Sequence, residues 1–137
     1  MAVTHLVDTS VLTRLDRPTV REVLAPLVEV GRAARAGISD LEIGYSARNA
    51  REWDRLIRAL GVFQSIATTA GHVKRAMHVQ RLLAARSQRG RKIPDLLIAA
   101  AAEESGLTLL HYDADFDLIA KATGQACEWV VPPGSID

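Results

Sequence analysis

Apolar residues fall into short blocks, and the period of those blocks changes along the chain. Residues 3–7 are short and mainly apolar, predicting a strand that ends at Asp8. Val11, Leu12 and Leu15 then follow at helical spacing until Pro18 breaks the turn. Val20, Val23, Leu24, Leu27 and Val28 mark one face of a second helix, and Pro26 is expected to kink or split it. Residues 36–39 read as a short strand, and Ser39-Asp40-Leu41-Glu42 as a helix start of the S-x-x-E capping type. Trp53, Leu56, Ile57 and Leu60 define a helix over 51–60, stopped by Gly61. Residues 62–67 read as a strand. A long helix runs over 69–86, with Val73, Ala76, Met77, Gln80, Leu83 and Ala84 as its expected inner face. Pro94 opens a helix that is apolar nearly all round from 96 to 102 and so should be deeply buried. Residues 107–110 form a continuous apolar strand, 113–122 a short helix ended by Gly124, and 127–131 a last strand.

Strands that alternate with helices predict an α/β fold with a mostly parallel central sheet of about five strands and helices on both faces. In such folds, sites gather beyond the carboxyl ends of the strands. Four acids stand at or just after predicted strand ends or at the start of a helix: Asp8, Glu42, Asp95 and Asp113, with Asp115 and Asp117 close behind. Taken singly, each has a structural explanation as a helix cap or as a favourable charge in a first helical turn. Taken together they converge on one sheet edge. Clustered carboxylates repel unless a cation compensates, and an all-oxygen set suits Mg²⁺ or Mn²⁺ rather than Zn²⁺. His5, His72, His78 and His111 share no metal-ligand spacing and read as structural or exposed. Cys127, the single cysteine, excludes an intramolecular disulfide and reads as a small core residue.

Composition narrows the class. The 137 residues are 48% hydrophobic and 24% charged, ordinary globular values that suit one domain over 1–137. No run of 18 apolar residues occurs, so no membrane span is expected and the protein reads as reduced and cytoplasmic. The net charge is only +1, but it is unevenly distributed. Residues 55–94 contain no acid and include Arg55, Arg58, Lys74, Arg75, Arg81, Arg86, Arg89, Arg91 and Lys92. From Glu103 onward, seven acids face only Lys121. A basic half beside a carboxylate site fits a polyanion gripped on one side and acted on at the other. Aromatic residues are only 4%, so base stacking is not the main grip.

VDTSVL at 7–12, Ser39-x-x-Glu42, PDLLIAAAAEESG from Pro94 and HYDADFDLIAKATG from His111 resemble the PIN domain, and more narrowly the VapC toxins of type II toxin–antitoxin pairs. The resemblance spans essentially the whole chain. It implies a metal-dependent endoribonuclease that cuts RNA at a tRNA or rRNA loop, leaves a 5′-phosphate, forms a homodimer and is silenced by a VapB-type antitoxin. The acidic quartet maps onto Asp8, Glu42, Asp95 and Asp113. Metal would be held by Asp8, Asp95, Asp113 and Asp115, with Ser10 in support. Where the family has Thr or Ser, this chain has His111, an imidazole that would orient a neighbouring carboxylate and could titrate near neutral pH. Arg86, Arg89, Arg91 and Lys92 are the expected RNA-phosphate contacts. Two other readings remain at this point. An aspartyl-phosphate phosphatase using Asp8 is disfavoured by Ser10 in place of a second acid. A non-catalytic RNA-binding PIN module is disfavoured by the intact quartet.

Overall fold

A computed structural model, which describes residues 2–88 and 90–137, shows five parallel strands and seven α-helices. In chain order they are β1 (His5–Val7), α1 (Thr9–Leu12), α2 (Pro18–Glu29), β2 (Ala33–Ala36), α3 (Gly37–Tyr45), α4 (Ala50–Ala59), a single 3-10 turn (Leu60–Val62), β3 (Gln64–Ile66), α5 (Ala70–Ala85), α6 (Ile93–Glu104), β4 (Thr108–His111), α7 (Asp115–Thr123) and β5 (Cys127–Trp129). The strand order is β3-β2-β1-β4-β5. The sheet thus grows from β1 in both directions, and His5 lies between Ala33 of β2 and Thr108 of β4.

Alternation along β1 builds two apolar layers, because successive side chains in a strand point to opposite faces. Leu6, with Ala34 and Leu109, packs against Ala76, Val79, Leu83, Ile98, Phe116 and Ile119 of α5, α6 and α7. Val7, with Ala33 and Leu110, packs against Val11, Val20, Leu24 and Leu60 on the other side. The expected arrangement, a parallel five-stranded sheet covered on both faces, is observed. None of the described helices is long and apolar enough to cross a membrane.

Four local expectations are corrected. The second strand lies over Ala33–Ala36, three residues earlier than expected, and α3 begins at Gly37. Arg35 explains the shift. Its guanidinium leaves the strand to bind Asp40 at 2.7 Å and the carbonyls of Leu60 and Phe63, fixing the strand beside β3. Ser39 therefore lies inside the first turn of α3 and caps nothing. Pro26 does not split α2. Both Pro26 and Glu22, whose carbonyl loses its helical partner, are exposed, so water can satisfy that oxygen. Finally, α5 is rotated from its expected setting. It buries His72, Ala76, Val79 and Leu83, while Val73 and Met77 remain exposed.

Candidate active site

The strand order reverses between β1 and β4, and a crevice opens beyond their carboxyl ends. A cleft of about 240 Å³ at this place is lined by Asp8, Thr9, Ser10, Thr13, Arg14, Glu42, Lys92, Asp95, Tyr112 and Asp113. All four acids expected to form the quartet share it. They arrive from the end of β1, the middle of α3, the first turn of α6 and the loop after β4.

Asp8 continues the pairing of β1 with β4, its amide donating to the Leu110 carbonyl at 2.9 Å. It is also the N-cap of α1, so the structural explanation and the site coexist in one residue. The Ser10 amide and hydroxyl both donate to Asp8 Oδ2, at 2.9 and 2.6 Å. Ser10 Oγ in turn accepts the Tyr112 amide at 2.9 Å, which ties the turn after β1 to the end of β4. Beside it, the Thr9 hydroxyl donates to Glu42 Oε1 at 2.7 Å and lies 2.8 Å from the buried Ser39 hydroxyl. Ser39 thus braces Thr9, which braces Glu42.

The opposite wall is built by the start of α6 and the loop after β4. One carboxylate oxygen from each of Asp95, Asp113 and Asp115 lies within 4.8 Å of the others. Asp113 Oδ1 accepts the Asp115 amide at 2.9 Å, opening α7, whose formal N-cap is Ala114. Lys92 Nζ stands 3.3 Å from Asp113 Oδ2, and Arg91 Nη1 donates to Asp115 Oδ1 at 2.7 Å. His111 is fully buried, with its ring 5.0 Å from both Phe116 and Trp129. Its Nδ1 accepts the Asp113 amide at 3.2 Å, which places the ring proton on Nε2. Burial lowers its pKa, against the charges of Asp117 and Asp113. His111 therefore positions the main chain at Asp113 from beneath, rather than orienting a carboxylate or titrating in the cleft.

Burial and mutual repulsion dominate the electrostatics. Burial pushes the Asp8 carboxyl up to about 6, against the two Ser10 bonds that favour its charge. Asp95 is pushed up to about 7 by burial and then by the charges of Asp8 and Asp113, with Lys92 opposing. Asp8 Oδ1 and Asp95 Oδ2 are buried and have no hydrogen-bond partner among the described residues. A buried carboxylate oxygen without a donor is costly unless a cation meets it. The donors are all oxygens, so the residues present fit a hard divalent cation.

Not every expected residue joins the cleft. Asp8 and Glu42 line the cleft but stand outside the close group of three, whereas Asp115 belongs to that group without lining the cleft. Asp117 turns away and accepts from the Trp129 indole at 3.1 Å. Arg86 is exposed at the end of α5, outside the lining, and Arg89 lies outside the described residues. Arg91 and Lys92 are at the site but engaged with its acids. Sequence reading missed Thr9, Thr13, Arg14 and Tyr112. Arg14 lies over the Tyr112 ring at 4.9 Å and donates to the Ser10 carbonyl at 2.6 Å and to Asp137 at 2.9 Å. Arg14 lies in the turn after α1, so no helical spacing marked it and only the fold brings it to the cleft.

A family model described as PIN domain matches residues 5–122, and the chain belongs to the PIN-domain family. Within that family its relatives are VapC ribonucleases. Ribonuclease VapC51 of Mycobacterium tuberculosis is 65% identical over 137 residues, covering 100% of both chains. Ribonuclease VapC21 of the same species is 42% identical over 141 aligned residues, 98% of this chain and 99% of that one. Among solved structures, the DNA-bound VapBC of Salmonella typhimurium gives a TM-score of 0.78 at 16% identity, covering 94% of this chain and 99% of that one. VapBC2 of Rickettsia felis, bound to a promoter DNA fragment, gives 0.76 at 19% identity over 94% and 98%. At those identities the two structures speak for the fold.

Proposed function

We propose that this chain is a single PIN-like domain over 1–137 acting as a metal-dependent endoribonuclease toxin in the cytoplasm, dimeric, cutting a tRNA or rRNA loop and silenced by a VapB-type antitoxin. The observation that carries the reading is the convergence of Asp8, Glu42, Asp95 and Asp113, from four separate elements, on one cleft at the strand-order reversal. The full-length likeness to a ribonuclease, at 65% identity, supports the substrate class.

Asp8, Asp95 and Asp113 would hold Mg²⁺ or Mn²⁺ directly, with Asp115 and Glu42 contributing through water or to a second ion. Such an ion lowers the pKa of the attacking water and offsets charge on the phosphate. The protein's own part is to hold its carboxylates in place: Ser10 fixes Asp8, Thr9 and Ser39 fix Glu42, and His111 fixes the chain at Asp113. Lys92, and Arg14 at the cleft wall, supply cations to RNA phosphates. Arg86, exposed at the end of α5, would extend that grip, as would Arg89.

The test is cleavage of total RNA by purified protein with Mg²⁺ or Mn²⁺, with ends mapped by sequencing. Cleavage leaving 5′-phosphates is expected to vanish with EDTA and to fall at least about a hundredfold in Asp8→Asn. Undiminished cutting in excess chelator, or by Asp8→Asn, would refute the assignment.

A further inference from the structure

Two internal cations already stand on the acid cluster, and they are held differently. The Arg91–Asp115 pair is short, at 2.7 Å, with both side chains 25% exposed, and Arg91 Nε is buried. The Lys92–Asp113 pair is longer, at 3.3 Å, and the lysine side chain is 65% exposed. A planar guanidinium held in a half-buried pair is preorganised, whereas an ammonium on a flexible stem exchanges readily with solvent. Asp113 Oδ1 already accepts the Asp115 amide, and Lys92 sits on the other oxygen, Oδ2.

We propose that Lys92 is the exchangeable counter-cation of the metal site: its ammonium holds Asp113 in the metal-free protein and is displaced when a divalent cation binds, while Arg91 remains on Asp115 as a positioning residue. The inference rests on the metal-site reading above. Two like charges cannot share Asp113 Oδ2, and Lys92 has the freer side chain. Once displaced, the ammonium remains on the cleft wall, free for an RNA phosphate. Metal loading and RNA binding then favour each other.

The test needs no RNA. Mn²⁺ affinity of the full chain is measured by electron paramagnetic resonance at fixed pH and ionic strength. Lys92→Gln is expected to bind Mn²⁺ about tenfold more tightly than the unaltered protein. Arg91→Gln is expected to bind it more weakly, because Asp115 loses its anchor. Lys121→Gln, an exposed lysine on α7, removes the same net charge and should leave affinity unchanged. Equal affinity in Lys92→Gln, equal tightening in Lys121→Gln, or tightening in Arg91→Gln overturns the proposal while leaving the metal site standing. Absence of Mn²⁺ binding in the unaltered protein and Lys92→Gln alike overturns both.

Discussion

Asp95 is a residue whose two tasks conflict. It would have to be charged to hold the proposed cation, yet its buried position favours the neutral acid up to about pH 7, against 3.8 for an unhindered carboxyl. The native state therefore binds more protons at Asp95 than the unfolded chain between those values, so the stability this residue contributes is fully present below about 4 and is lost as pH rises through about 7. Asp8 adds the same trend up to about 6. In EDTA, the melting temperature is expected to fall between pH 5 and pH 8. Asp95→Asn should flatten that slope and melt a few degrees higher at pH 8, as scanning calorimetry would show; an unchanged slope would mean Asp95 is ionised without cost. The acids were legible in the sequence because each stands beside an apolar block that ends in one place. The bracing hydroxyls were not. The bond from Thr9 to Glu42 spans 33 positions, and only the fold brings those residues together.

The elements show where pattern reading succeeds and where packing overrides it. β1 and β4 lie within one or two residues of their expected spans, because each carries a short apolar block that stops at a polar or charged residue. β2 was misplaced because Ala33-Ala34-Arg35-Ala36 carries no β-branched or aromatic residue, so its strand state comes from its two neighbours rather than from propensity. The rotation of α5 has a similar origin. His72, read as uninformative, is buried, accepts the Thr69 amide through Nδ1 at 3.2 Å and faces Glu104 of α6 at 2.9 Å through Nε2. With Arg75 on Glu103 at 2.6 Å, it latches α5 to the end of α6, the helix that bears Asp95 at its start. Thr69 completes this cap by accepting the His72 amide at 3.1 Å. Thr69→Ala is expected to cost about 1 kcal/mol in urea unfolding. A loss near zero would show that the latch alone holds the helix end.

At the scale of the molecule, a small net charge conceals an acidic cleft that attracts any cation, whether metal, lysine or a partner's arginine. An antitoxin that silences the protein by placing a basic side chain among Asp95, Asp113 and Asp115 competes with the metal. Raising Mg²⁺ at constant ionic strength is then expected to restore cleavage. Inhibition indifferent to Mg²⁺ would point instead to an apolar helix that blocks the cleft by bulk. The strand order carries one more consequence, which concerns time. Synthesis proceeds from the N-terminus, and β1 can meet β2 early, but its other neighbour is β4, about a hundred residues later. Asp8 therefore emerges from the ribosome long before Asp113. A growing chain carries a half-formed sheet and an incomplete set of carboxylates until β4 and the loop bearing Asp113 have been made and can dock beside β1.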